Sequence, residues 1–283
     1  MPRALTIAGS DSGGGAGVQA DLKTFFALGC HGMSAFTALT AQNTVEVAGV
    51  HEVPPDFVVA QIEAVVDDIG VDAAKTGMLA SAAIVEAVAE AAERFALDPL
   101  VVDPVFVSKS RATLLAPDAI DGLTRRLFPR ATLVTPNLHE AAAILDGEIT
   151  SVGDMEEAAR ALKAFGPRSV LLKGGHLEAV EAVDLYFDGA ELVQLPGTRF
   201  DTKDTHGTGD TLAAAVTARL AHGDKLLDAV IAGKRFVTGA IEHSLRLGRG
   251  YGPVNPGWDL TVGARARLTT SGRPPVQLGD RPS

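Results

Sequence analysis

Seven times along this chain a short apolar run gives way to a polar residue able to do chemistry: Asp11, Gln42, Lys75, Asp103, Asn137, Lys173 and Asp210. Helical periodicity fills the gaps, as in residues 18–27, where Val18, Leu22, Phe25 and Phe26 share a face. Apolar strands alternating with amphipathic helices predict a mostly parallel sheet with helices on both faces, a three-layer α/β fold. In such a sheet the strand ends share one edge, which is where ligands bind. The seven polar residues are therefore expected together.

The pattern predicts strands at 4–8, 32–41, 72–75, 100–102, 131–134 and 169–172. A hairpin is expected at 183–187 and 191–195 around Asp188-Gly189. Helices are expected at 18–27, 56–68, 81–96 (capped by Ser81), 117–127, 154–165, 211–221 and 226–245. Another starts at Leu138, with Asn137 as cap and Glu140 three residues on, the spacing of a capping box. No linker divides these elements, so residues 1–259 read as one domain. Beyond it Arg, Gly, Pro and Thr accumulate without periodicity, and residues 260–283 are expected to be a loosely ordered tail.

Two glycine-rich loops dominate the chemistry. The first, Gly9-Ser10-Asp11-Ser12-Gly13-Gly14-Gly15-Ala16-Gly17, lies between a strand and a helix. It is not a P-loop, which needs Lys after the second glycine, nor a dinucleotide fingerprint, whose third glycine would fall at Val18. What remains is a backbone-lined cup with one carboxylate, Asp11. The second loop, Asp204-Thr205-His206-Gly207-Thr208-Gly209-Asp210, opens onto an Ala-rich helix. The first amides of a helix lack carbonyl partners and carry the positive end of its dipole, so they suit a phosphate or an oxyanion. A carboxylate there repels a resting phosphate, unless it takes a proton from an attacking hydroxyl. A plain capped helix start is the alternative.

Net charge limits the partners. At −10, the chain is not expected to bind nucleic acid or an acidic membrane surface. A phosphorylated substrate must then find its positive charge locally, from single lysines, helix ends or a metal. No apolar run is long enough to span a bilayer, and no basic, apolar leader opens the chain. One cysteine, Cys30, forms no intramolecular disulfide and fits a reducing compartment, so a cytoplasmic location is expected. Cys30 itself reads as packing. His139 and His206 are expected to make structural hydrogen bonds.

Taken together, residues 8–17, Gln19 to Thr24, Thr37 to Thr44, Lys75 to Leu79, Asp103-Pro104-Val105 with Lys109-Ser110, Thr135-Pro136-Asn137 with Glu140, Lys173 to His176 and Thr205 to Gly209 closely resemble the hydroxymethylpyrimidine/phosphomethylpyrimidine kinases of thiamine biosynthesis, in the ribokinase-like superfamily. The likeness extends over residues 4–257, including Gly248-Arg249-Gly250 and Gly252 to Asn255. It implies ATP-dependent phosphorylation of 4-amino-5-hydroxymethyl-2-methylpyrimidine and of its monophosphate, with ATP and Mg2+ as cofactors and a homodimer as the assembly. It also implies roles. Gln42 would hydrogen-bond the aminopyrimidine in a pocket shaped by Gly9, Asp11, Ala16, Met78 and Val105. Asn137 and Glu140 would organise the ATP phosphates with magnesium, Asp103 supporting the metal through water. Lys173 would neutralise phosphate charge, the amides of Gly207, Thr208 and Gly209 would form the anion hole, and Asp210 would be the base. Adenine is expected between the hairpin and the last helices.

Two departures stand out. After Gly-Thr-Gly the family it resembles usually has Cys, whereas this chain has Asp210, as in the broader sugar and pyridoxal kinases. After Asp-Pro-Val, Phe106-Val107-Ser108-Lys109-Ser110-Arg111-Ala112 replaces the usual Met-Val-Ala-Lys-Ser-Gly-Asp. Pyridoxal kinase is therefore the main alternative, with a catalytically silent pyrimidine-binding regulator behind it.

Overall fold

The computed structural model describes residues 1–106, 117–175 and 182–260. Lys109, Ser110, Arg111, His176 and the expected tail lie outside them, apart from Leu260. The elements run β1 (Arg3–Ala8), α1 (Gly17–Ala27), β2 (His31–Phe36), β3 (Ala38–Gln42), β4 (Val47–Glu52), α2 (Pro55–Asp68), β5 (Ala73–Thr76), α3 (Ala82–Arg94) and β6 (Leu100–Val102). There follow α4 (Pro117–Gly122), β7 (Leu133–Val134), α5 (Leu138–Leu145), α6 (Val152–Lys163), β8 (Val170–Leu172), β9 (Ala182–Phe187), β10 (Leu192–Gly197), α7 (Thr208–Ala221) and α8 (Leu226–Glu242). After α4 the chain widens into a π-type turn, Leu123–Leu127, then tightens into a 3₁₀ turn, Phe128–Arg130, where a single helix to residue 127 is expected from the sequence.

An eight-stranded sheet in the order β10-β9-β8-β7-β6-β5-β1-β2 runs through the molecule. Its strands from β8 to β2 pair in parallel, and at one end β9 pairs antiparallel with both β8 and β10. The short central strands are apolar on both faces because helices cover both. Their side chains divide by alternation. Ala74, Val102, Val134, Val170 and Leu172 join α2, α3, α5 and α6, whereas Ala73, Val101, Leu133 and Leu171 join α7 and α8. Each fully buried Leu, Ile or Val contributes about 1.5–3 kcal/mol.

Helix α7 lies against α1, α8, β1, β5 and β6, and is buried along most of its length. Its alanines allow that approach. At Gly233 of α8, an added Cβ would stand 2.8 Å from Val216 Cγ2.

Three expectations are corrected. The strand expected over 32–41 breaks at Thr37, whose hydroxyl donates to Met78 O at 2.6 Å. The chain beyond leaves the main sheet and forms a separate antiparallel pair, β3 with β4, bulged at Ala41/Gln42. Gln42 thus ends a hairpin strand rather than a strand of the parallel sheet. Asp210 reaches the edge through the loop after β10, in the first turn of α7. Ser81 stands at the start of α3, but its side chain makes no capping hydrogen bond.

Candidate active site

The carboxyl ends of the parallel strands, the tip of the β3–β4 hairpin and the start of α7 meet at one edge. Asp11 organises the first loop. Its Oδ1 accepts from the Gly13 amide at 2.8 Å, and its Oδ2 from Gly15 and Ala16 at 3.0 and 2.9 Å. His206 Nε2 adds a contact of 2.8 Å to the same Oδ2. Burial raises the Asp11 carboxyl, but His206 and the loop amides outweigh it and hold the group below its usual value. Both oxygens of Asp11 therefore serve the loop. The Ala16 amide is engaged with Asp11, and Gly9 donates to Met78 O at 3.1 Å while its carbonyl accepts from Val18. These groups line the pocket region with fixed backbone.

The two glycine loops are built against each other. Gly207 has φ of +79°, and a Cβ there would stand 1.9 Å from Gly15 O. Their glycines are thus needed for backbone-to-backbone contact as well as for access to the helix amides. His206 is pinned by Gly252 O and the Val254 amide, and Gly252 in turn donates to Asp204 Oδ1 at 3.0 Å. The Gly248–Asn255 stretch, a motif on sequence, thereby becomes the strap that seats His206. The imidazole also lies 3.4 Å from Gln42 Nε2. The same Nε2 faces Asp11 Oδ2, and a ring nitrogen that donates its proton there has no lone pair left to accept from the Gln42 amide.

A group of charges lies beneath Asp210. Lys173, after β8, donates to Asp103 Oδ1 at 2.8 Å, and Asp103 accepts a second bond from Thr135. Burial lowers Lys173, but Asp103 and Glu140 more than offset this and push it up to about 12. Asp103 is held low, because Lys173 and Lys75 outweigh its burial. A Cβ on Gly209 would lie 3.3 Å from Lys173 Nζ and 3.5 Å from Asp103 Oδ2, so this pair stands at the start of α7. Asn137 and Glu140 form the expected capping box: Asn137 Oδ1 accepts from the Glu140 amide at 2.9 Å, and Glu140 Oε2 from the Asn137 amide at 2.7 Å. Glu140 is buried, which pushes its carboxyl up to about 8 despite Lys173. Val105 follows this cluster, its amide donating to Asp103 O at 3.0 Å.

On the other side, Lys75 Nζ is 2.7 Å from Asp21 Oδ1 and 3.9 Å from Asp210 Oδ1. Sequence reasoning gave Lys75 no task and passed over Asp21. A signal was present: Asp21 is three residues after Val18 and four before Phe25, on the apolar face of its helix, and a buried charge needs a partner.

Four carboxyls, those of Asp21, Asp103, Glu140 and Asp210, face two ammoniums here. No cluster of three or more His, Cys, Asp or Glu able to hold a metal occurs among the described residues.

Apart from these charges, a cavity of about 740 Å³ opens between β10 and α8, with Leu195, Gly197, Lys234, Phe236 and Trp258 in its walls. Asp184 links the two regions. It accepts from the Gly174 amide at 3.0 Å and from Lys234 Nζ at 2.5 Å.

Sheet order, flanking helices and a glycine turn opening α7 define the ribokinase-like class of α/β proteins. The family model for phosphomethylpyrimidine kinase matches residues 11–255. A hydroxymethylpyrimidine/phosphomethylpyrimidine kinase of Mycobacterium tuberculosis is 54% identical over 257 residues, 90% of this chain and 94% of that one. Among solved structures, the ADP complex of Bacillus subtilis pyridoxal kinase superposes with a TM-score of 0.86 at 41% identity, over 92% of this chain and 99% of that one. Phosphomethylpyrimidine kinase from Clostridium difficile does so at 0.76 and 42%, over 85% and 100%. The chain belongs to the phosphomethylpyrimidine kinase family.

Proposed function

We propose that this chain transfers the γ-phosphoryl group of ATP to the hydroxymethyl group of 4-amino-5-hydroxymethyl-2-methylpyrimidine, and a second phosphoryl group to the resulting monophosphate. The carrying observation is the placement of Asp210 at the start of α7, with Lys75 reaching it from one side and the Lys173–Asp103 pair beside neighbouring Gly209. Gln42 binds the aminopyrimidine edge, its amide standing beside His206. Gly9, Ala16, Met78 and Val105 shape the pocket, and Asp11 acts through the loop it organises. As the substrate oxygen bonds to the γ-phosphorus, its proton passes to Asp210, and the bond to the β–γ bridging oxygen breaks to release ADP. The amides of Gly207, Thr208 and Gly209 stabilise charge on the equatorial oxygens, and Lys173 neutralises the phosphates. Asn137 orients the phosphate chain. Glu140 and Asp103 would hold magnesium, which offsets phosphate charge when bound. The adenine is assigned to the cavity between β10 and α8, on the strength of the Asp184 link to Lys234 in its wall. A homodimer is proposed through the β3–β4 hairpin.

Pyridoxal phosphorylation is a second reading, favoured by the superposition on pyridoxal kinases and by Asp210. The test is an ATP-consumption panel over the pyrimidine alcohol, its monophosphate and pyridoxal, with and without magnesium. Turnover of both pyrimidines, exceeding that of pyridoxal, is expected. Preference for pyridoxal would replace the reading, and ATP consumption with none of them would remove it.

A further inference from the structure

Strand β5 carries a lysine after two alanines. By alternation Lys75 shares the face of Ala73, the one covered by α7, while Ala74 turns to the opposite core. Lys75 and Asp21 are both fully buried, and the second oxygen of Asp21 accepts the Thr6 hydroxyl at 2.6 Å. Asp21 is therefore held from two adjacent strands, since Thr6 and Lys75 are register partners across β1 and β5. A lysine with only a structural task needs no more than this one buried carboxylate. Lys75 also reaches a second one, 3.9 Å away on Asp210, whose side chain is 18% exposed.

Building on the kinase reading, we infer that Lys75, tethered by Asp21, is a positioning residue that aims the Asp210 carboxylate and offsets its charge, so that one site accepts both a neutral alcohol and an anionic monophosphate. The two acceptors make opposite demands on Asp210. An alcohol needs a base within reach. A phosphate monoester needs none, and arrives bearing the same sign of charge as the carboxylate it meets. A cation fixed behind Asp210 serves both cases: it keeps the carboxylate in one place, and it weakens the repulsion without blocking the mouth of the site. Lys173 faces the same region but is bonded to Asp103, which leaves Lys75 as the cation in ion-pair reach of Asp210 among the described residues. Burial pushes the Asp21 carboxyl up to about 7 even though the ammonium 2.7 Å away and the Thr6 hydroxyl favour its charged form. The pair is thus mutually dependent, and the variant of choice removes both charges together.

Asp21→Asn/Lys75→Met leaves no bare buried charge, and its fold is checked by circular dichroism and thermal melting. Turnover of each acceptor, the KM for ATP, and calorimetric binding of each acceptor without ATP are then compared with the wild type. The expected result is an unchanged KM for ATP, an alcohol kcat lower by about tenfold, and a monophosphate kcat/KM lower by a further factor of about ten, within the range over which contacting groups couple. Monophosphate binding should weaken relative to alcohol binding. Adding Asp210→Asn should then recover the monophosphate step about tenfold and depress the alcohol step further, which a merely structural pair would not do. An acceptor ratio equal to wild type, or no recovery on adding Asp210→Asn, overturns the inference. If the double variant does not fold, Lys75→Gln against Lys75→Arg carries the same comparison, and only the arginine should keep the wild-type ratio. A wild type that neither turns over nor binds either pyrimidine sinks the kinase reading and this inference together. One that uses both, with a ratio indifferent to the pair, sinks the inference alone.

Discussion

Asp210 and Asp11 are both carboxylates beside glycine loops, yet their surroundings assign them opposite tasks. Asp210 keeps an open side at the start of α7, so Asp210→Asn should lower alcohol turnover by about 10²–10⁴ while ATP still binds. Steady-state assays with calorimetry check this, and wild-type-like turnover removes Asp210 from the role of base. Asp210→Cys, which removes the carboxylate, should favour the monophosphate relative to the alcohol. Asp11 is spent on folding. Asp11→Asn weakens three amide bonds and the contact to His206, and should cost about 1–3 kcal/mol in chemical denaturation at neutral pH. The sign of its pH dependence follows from the folded group titrating below its ordinary 3.8. Its stabilisation is present above that value and is lost as pH falls through the lower folded value. The gap between wild type and Asp11→Asn should therefore be full at pH 6–7 and shrink as the pH falls below the ordinary 3.8. A gap independent of pH would mean that the charge contributes nothing.

At the scale of elements, the start of α7 tests whether the glycines serve a ligand or the fold. Gly207→Ala meets the Gly15 carbonyl and occupies a left-handed conformation, which alone costs about 1–2 kcal/mol. It should lower stability by more than that and abolish turnover. Gly175→Ala, nearby after β8 with open space around its added methyl, should stay within about 0.5 kcal/mol of wild type. Equal melting temperatures for the two variants would show that the loops do not depend on each other. The same elements show what a single sequence discloses. The alternation of β and α was legible because strands buried on both faces read as uninterrupted apolar runs, and Asn137 with Glu140 because a capping box is local. The β3–β4 pair was not, since Thr37 interrupts an apolar run only through a hydroxyl aimed at Met78, 41 residues away. Lys75 and Asp21 are 54 residues apart, and Asp11 and His206 are 195 apart. Periodicity carries no information over such distances, so the residues at the edge could be named but not their pairings.

For the whole molecule, the open question is what covers the β3–β4 hairpin. It stands outside the eight-stranded sheet, with Leu39, Val45 and Val50 about half exposed. Among the described residues one edge of β4 is unpaired, and such an edge invites pairing with another chain. A second copy of this chain meets that need symmetrically, and a stable interface has to bury more than about 1,000 Å². Sedimentation at micromolar concentration should give a dimer, and Leu39→Glu/Val50→Lys should give a folded monomer. A monomeric wild type would end the proposal. A dimer would have a consequence for catalysis, because Gln42 is the last residue of β3 and the hairpin is tied to the rest of the chain through Ser10, Ser12, the contact of Gln42 with His206, and the bond of Thr44 to the strap after α8. Freed from a partner, the hairpin should hold Gln42 less firmly, while Lys173, Asp103 and the cavity beside α8 stay as they are. Monomerisation should accordingly raise the KM for the pyrimidine several-fold and leave the KM for ATP unchanged. An equal rise in both would trace the loss to the fold as a whole rather than to the hairpin.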